Sequence, residues 1–176
     1  MALKPTIFKL QLHISNFDDD IYVSPNLTLA QHPSETVERL TARIIAYCLN
    51  YHEQLEFTAG LSTPDEPDIR INSLDGRTLL WLDMGEPTVE RIKKASRQCE
   101  VLRVYSFNTK ADVWWRENSK GFTALQASYY QLNWHEIAKL ATSLQRTMEW
   151  SVSISSGVLT VSTEADTSDI NILALS

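Results

Sequence analysis

Five glycines in 176 residues leave little room for a glycine-rich phosphate loop, and no Gly-x-Ser-x-Gly elbow occurs. The two cysteines, Cys48 and Cys99, each fall in a predicted helix beside apolar neighbours, which suits reduced, buried thiols and not a structural disulfide. His13, His32, His52 and His135 are scattered without ligand spacing, which excludes a zinc site of the usual kind. No apolar run approaches the roughly 18 residues that span a bilayer, and MALKPTIFKLQLHIS has no apolar core with a cleavage site. The expectation is a cytoplasmic protein with no membrane partner. Basic charge is also short: the net charge of −6 argues against a strongly basic, sequence-blind DNA binder, because nonspecific affinity comes mainly from phosphate neutralisation. A local basic face remains compatible with that total.

What is present is a globular composition, 43% hydrophobic and 22% charged, long enough for one well-cored domain over residues 1–176. The most informative stretch is DEPDIRINSLDGRTLLWLDMG, residues 65–85. Asp75-Gly76 is a strong signal for a two-residue type I′ turn, whose central residues both take positive φ. With Leu74 facing Arg77, Ile71 pairs with Leu80, Arg70 with Trp81, Ile69 with Leu82 and Asp68 with Asp83. Alternation puts Ile69, Ile71, Leu80 and Leu82 on a buried face and both aspartates on the other. Opposed Cβ atoms lie roughly 4.5 to 5.5 Å apart, so the two charges repel unless something intervenes. Either Arg70 or another basic side chain neutralises them, or the strands splay beyond Pro67 and Gly85, or the pair holds a divalent cation such as Mg²⁺.

Elsewhere, residues 6–14 alternate with Phe8, Leu10, Leu12 and Ile14 on one side, and 21–30 are extended, with 16–20 as the hairpin loop between them. The acidic triplet Asp18-Asp19-Asp20 reads as a turn. Ser34 has the position of an N-cap, and Val37, Leu40, Ile44, Ile45 and Cys48 follow helical spacing to about residue 50. Glu35 supports Arg39 four residues on, and Glu38 lies at the edge of the buried stripe. A short strand at 55–61 precedes the hairpin. After Gly85 comes a helix with Val89, Ile92, Ala95, Ser96 and Cys99 inward, then a buried strand at 102–107. A helix at 109–118, a strand at 123–132, a helix at 134–147 and a hairpin at 148–164 turning at Ser156-Gly157 complete the chain. No internal repeat or linker divides it.

The central order α, β, β, β, α, β, over residues 34–107, resembles the restriction-endonuclease-like, PD-(D/E)XK core. Its signature is Pro-Asp on one strand, then Asp or Glu, any residue, and Lys on the next; here Pro67-Asp68 is followed by Asp83-Met84-Gly85. Glycine stands where the lysine would be. Some members carry the lysine on the following helix, where Lys93 and Lys94 lie, Lys93 nearer the inward face. MALKPTIFKL, HPSETVER, DEPD, WLDMG and RIKKA together are similar to the bacterial YaeQ family along nearly the entire chain.

The resemblance implies an α/β (α+β) fold, a mixed sheet flanked by helices with antiparallel hairpins added at both ends, as a variant of a Mg²⁺-dependent endonuclease. It would place Asp68, Asp83 and the Met84 carbonyl on Mg²⁺ or Mn²⁺, with Glu38 reaching in, and Lys93 or Lys94 orienting the attacking water. Nucleic acid would be the partner. Arg91, Arg97 and Arg103 would either add phosphate contacts or serve as solubilising surface charges beside acids, and Trp114, Trp115 and Trp134 would serve either as base platforms or as core or partner-surface anchors. Two other classes compete with a nuclease or phosphodiesterase. One is a noncatalytic nucleic-acid- or protein-binding module that keeps a degenerate nuclease fold, and the other an acidic pocket for a basic peptide.

Overall fold

Alternating apolar side chains build the first strand: β1 (Thr6–Asn16) buries Phe8, Leu10, Leu12 and Ile14 on one face. A turn with Asp20 at φ 56° leads into β2 (Ile21–Val23), and after Pro25 the chain resumes as β3 (Asn26–Gln31). Both pair antiparallel with β1. The computed structural model describes residues 4–59, 61 and 65–176.

Helix α1 (Val37–Leu49) carries Leu40, Ile44, Ile45 and Cys48 into the core. Its cap is Thr36, whose side chain accepts from the Arg39 N–H at 3.1 Å, and not Ser34, whose hydroxyl is held by His32 Nδ1 at 2.6 Å. The strand expected at 55–61 is only β4 (Glu56–Phe57), and part of the expected span lies outside the described residues. Then come β5 (Ile69–Asn72), β6 (Thr78–Met84), α2 (Val89–Ser96) and β7 (Cys99–Ser106). This is the expected central order. The first three strands form an antiparallel meander, and α2 carries the chain over to β7, which lies parallel to β6. Because α2 ends at Ser96, Cys99 opens a strand and is not helical as its spacing suggested. Burial pushes the Cys48 thiol up to about 12, so it packs as a neutral group.

The hairpin reaches its expected register by an unexpected route. Its loop has three residues: the Gly76 N–H donates to the Ser73 carbonyl at 3.1 Å, and Ser73 N–H to the Arg77 carbonyl at 2.8 Å. Gly76 takes φ +87°, while Asp75 does not enter the positive-φ region that a type I′ turn would require. That loop alone would slip the register by one. A bulge follows, however, since Asn72 faces Thr78 but Ile71 faces Leu80, leaving Leu79 as the extra residue. Beyond it Arg70 faces Trp81 and Ile69 faces Leu82, as the alternation required.

Helix α3 (Ala111–Thr123) runs further than expected, so β8 (Ser128–Leu132) starts later, parallel to β7. Helix α4 (Trp134–Ala141) stops short of 147 and lets β9 (Thr147–Ser155) begin there. The hairpin to β10 (Val158–Ser162) does use a two-residue positive-φ turn, Ser156 at 52° and Gly157 at 78°. A last strand, β11 (Thr167–Leu175), was not foreseen. It pairs with β10 through Asn171 and with β8 from Ile172 onward, joining two half-sheets. The full order is β2-β1-β9-β10-β11-β8-β7-β6-β5-β4, with β3 also on β1; β1 lies parallel to β9, so the hairpins at the two ends of the chain share one sheet.

The result is a mixed α/β architecture, a mixed sheet flanked by four helices. One face packs on α1 and α4 through Leu40, Ile44, Leu82, Ile137 and Trp150. The central strands are covered on their other face by α2 and α3, through Trp81, Ile92, Leu102, Trp114 and Phe122. Among the described residues no helix is long and apolar enough to cross a membrane.

Candidate functional site

Burying one side of β5 and β6 leaves the two aspartates on the other. The paired ladder ends at Ile69 and Leu82; beyond it the Asp68 N–H donates to the Leu82 carbonyl at 3.0 Å, and Asp68 and Asp83 line one cavity, close enough for their charges to interact. They are only 5% and 1% exposed, so neither charge is relieved by water. Two arginines relieve them. Arg39 Nη2 donates to Asp68 Oδ1 at 2.6 Å, and the Met84 N–H to Asp68 Oδ2 at 2.8 Å. Arg91 grips Asp83 with Nε at 2.7 Å and Nη2 at 3.2 Å, and Trp81 Nε1 adds a third bond at 2.9 Å. Arg70, the neutraliser expected first, turns away to Glu56 at 2.8 Å and Glu66 at 3.7 Å.

A buried acid holds the first of these arginines in turn. Glu35 accepts from Arg39 Nη1 at 2.7 Å and from Arg43 Nε and Nη2 at 2.9 and 2.6 Å, and Arg43 also reaches the Ala30 carbonyl. Burial draws the Arg39 guanidinium down, but Asp68 and Glu35 outweigh it and hold the group above its usual value. Burial pushes the Asp83 carboxyl up from its ordinary range, against the bonds from Arg91 and Trp81.

Both arginines enter by the same local device. Thr36-Val37-Glu38-Arg39 and Thr88-Val89-Glu90-Arg91 are one tetrapeptide used twice. In each the threonine caps a helix, with φ −73° and −74° and ψ 157°, and accepts from the arginine N–H at 3.1 Å. The chain therefore does contain a repeat, too short for a scan at domain scale. It was the available signal for Arg39 and Arg91, because an arginine in the first turn of a capped helix points back toward the strand ends.

These groups line a cavity of about 550 Å³ at the carboxyl ends of the parallel strands β6 and β7, the place where open α/β sheets commonly bind ligands. Thr36, Arg39, Asp68, Asp83, Gly85 and Arg91 face it, so the positive ends of two helices converge there. Gly85, in the position of the signature lysine, has φ +97°, a conformation that a lysine would adopt only under strain. The nearest atom to a Cβ built there is Phe107 Cε1 at 4.0 Å, so conformation and not space selects glycine.

Of the residues singled out from sequence, Asp68 and Asp83 are brought together at this cavity. Glu38 is half-buried on α1 and does not line it; Glu35, three residues earlier and just ahead of the Thr36 cap, is the acid that reaches the arginines. Lys93 and Lys94 are exposed and lie outside the lining, Lys94 paired with Asp65 at 3.0 Å. Arg97 is exposed. Trp114 is core, with Nε1 on the Pro87 carbonyl at 3.0 Å, while Trp115 and Trp134 are partly buried against the two clusters.

As arranged, the donor set does not fit a Mg²⁺ ion. Every oxygen of the two carboxylates already accepts a hydrogen bond, and each charge is matched by a guanidinium. Among the described residues there is no group of three or more His, Cys, Asp and Glu that could hold a metal.

A family model described as YaeQ protein matches residues 1–172. The YaeQ proteins of Escherichia coli K12 and Salmonella typhi are each 34% identical over 176 residues, covering 99% of this chain and 97% of theirs. The crystal structure of YaeQ from Xanthomonas axonopodis pv. citri superposes with a TM-score of 0.94 at 30% identity, covering 97% of both chains. That of YaeQ from Pseudomonas syringae gives 0.94 at 32% identity, covering 98% of this chain and 96% of the other.

Proposed function

The chain belongs to the YaeQ family, and we propose that it is a noncatalytic nucleic-acid-binding module built on a degenerate PD-(D/E)XK architecture. In this reading two arginines have taken over the places of the metal and the lysine. The observation that carries it is the charge matching of the acid pair, Arg39 on Asp68 and Arg91 on Asp83. The acids fix both guanidinium planes at the cavity wall, Arg39 held between Glu35 and Asp68, and Arg91 held by Asp83 and by the Glu66 carbonyl at 2.9 Å. Two helix N-termini add partial positive charge suited to a phosphate oxygen.

The net charge of −6 limits this to one or two phosphates and not a track along a duplex. The test is fluorescence anisotropy with a short single-stranded oligonucleotide in EDTA, with and without a 5′-phosphate. Metal-free binding with a shallow salt dependence, a log–log slope of about −0.7 per phosphate, is expected. It should fall about tenfold or more in Arg39→Met or Arg91→Met.

A second reading, a Mg²⁺-dependent nuclease or phosphodiesterase using Asp68 and Asp83, is favoured by the meeting of the two acids at one cavity within an α, β, β, β, α, β order. It requires Arg91 to leave Asp83. Calorimetric titration of the wild type with Mn²⁺ and Mg²⁺, beside Asp83→Asn, separates the two. Metal binding by the wild type that Asp83→Asn abolishes supports the nuclease and refutes the binding module.

A further inference from the structure

At the far end of α1 from the acid pair, a second cavity of about 430 Å³ opens where β11 passes from β10 to β8. We propose that this cavity binds a small aromatic monocarboxylate, whose anionic group is taken by Arg103 and whose ring stacks on Tyr130. The inference is independent of the reading given for the acid pair.

Its foundation is a half-buried cation that no carboxylate grips. Arg103 Nη1 donates to Asn50 Oδ1, and among the described residues its guanidinium forms no ion pair. Asn50 is buried and its amide is fully used: Nδ2 donates to the Ala46 carbonyl at 2.7 Å and to the Tyr105 hydroxyl at 2.9 Å. It therefore positions Arg103 without neutralising it. Arg39, Arg43 and Arg91 all have carboxylates, so Arg103 departs from the pattern by which this chain treats its half-buried and buried arginines. A cation withdrawn from water without a carboxylate is costly, and an anionic ligand would remove that cost.

The remaining lining defines the rest of the ligand. Tyr105 and Tyr130 stack at 5.0 Å and 17°, and the half-buried Tyr130 lines the cavity with Leu49, Ile154 and Ile172. At the rim stand Asp18 and Asp19, exposed and tied to the Ser156 N–H at 2.9 Å and Asn16 Nδ2 at 3.1 Å. Two fixed acids at the mouth repel a dianion about twice as strongly as a monoanion, which favours a carboxylate over a phosphate monoester. The volume lies in the range of small-molecule sites.

The experiment is ligand-observed saturation-transfer NMR on the full chain with 4-hydroxybenzoate, followed by competition with benzamide and phenyl phosphate. Saturation by 4-hydroxybenzoate is expected, with the neutral amide and the dianion both weaker and Arg103→Met binding about tenfold less. Ile172→Trp, which fills the cavity and leaves Arg103 in place, should also abolish the signal; circular dichroism checks the fold of both variants. No saturation of the wild type, or equal binding by wild type and Arg103→Met, overturns the proposal.

Discussion

Replacing Arg91 by methionine tests whether a guanidinium stands in for a cation at the acid pair. The substitution removes the bonds at 2.7 and 3.2 Å from a carboxylate whose side chain is 2% exposed, leaving Asp83, among the described residues, with only the Trp81 indole N–H. Stranding one member of a buried pair costs about 3–5 kcal/mol. Arg91 is itself 32% exposed, so solvent screening brings the expected loss to about 2–3 kcal/mol. For a domain of this size that lowers Tm by about 5–10 °C. The freed Asp83 then lies beside Asp68 with an uncompensated charge, and Mn²⁺ should bind the variant. Thermal unfolding with increasing Mn²⁺ should raise its Tm, by the equivalent of about 2.7 kcal/mol at a hundredfold excess over Kd, and leave the wild type unmoved. Arg91→Met with Asp83→Asn should recover part of the lost stability and be blind to Mn²⁺. An unchanged Tm in Arg91→Met, or a wild type that Mn²⁺ stabilises as strongly as it does the variant, refutes the reasoning.

Three further perturbations probe the same network. Arg43→Met removes two of the three guanidinium bonds to the buried Glu35, which keeps only Arg39 Nη1, and should cost about 2–3 kcal/mol in urea unfolding, with Arg43→Met/Glu35→Gln less damaged than the single variant. Burial raises the folded pKa of Asp83 above its unfolded value, so the folded state binds its proton more tightly; this contribution is fully present below the unfolded pKa and is lost as pH rises through the folded one. Asp83→Asn removes it, so the Tm of the variant should gain on the wild type as pH rises from about 4 toward 7, and parallel curves would contradict the shift. Gly85→Lys recreates the signature lysine at φ +97° and should cost about 1–3 kcal/mol without producing Mg²⁺-dependent cleavage of a labelled oligonucleotide.

Most of the central architecture was legible because its signals are periodic. Alternation in residues 69–82 fixed which side chains are buried, and that constraint survives a wrong turn: the loop at Ser73–Arg77 is one residue longer than Asp75-Gly76 suggests, and the bulge at Leu79 restores the pairing. The terminal strand β11 was missed because its two halves pair with different strands, a non-local fact that no short window contains. Arg39 and Arg91 were undervalued for a related reason. A charged residue at a helix edge looks solvated in sequence, and only the capping geometry shared by Thr36 and Thr88 shows where it points. The emphasis on Lys93 and Lys94 followed the resemblance to a lysine-bearing signature, while both side chains are exposed on α2.

Stability alone gives no reason to assemble Glu35, Arg39, Asp68, Asp83 and Arg91 around a cavity. Buried ion pairs often contribute less than well-packed apolar residues of the same volume, because desolvation consumes the Coulombic gain. The same strands show the cheaper solution one residue away, where Leu80 and Leu82 face Ile71 and Ile69 and need no partners. Duplicating a capped helix start to bring one arginine to each aspartate is thus an expense that folding does not require. What the arrangement supplies instead is two guanidiniums held at fixed angles beside two helix N-termini and an open volume, preorganised before any ligand arrives. A scaffold with an apolar core on both faces of its central strands can carry that cost at one end of the sheet, and the oxyanion recognition proposed above would make use of two guanidiniums so held.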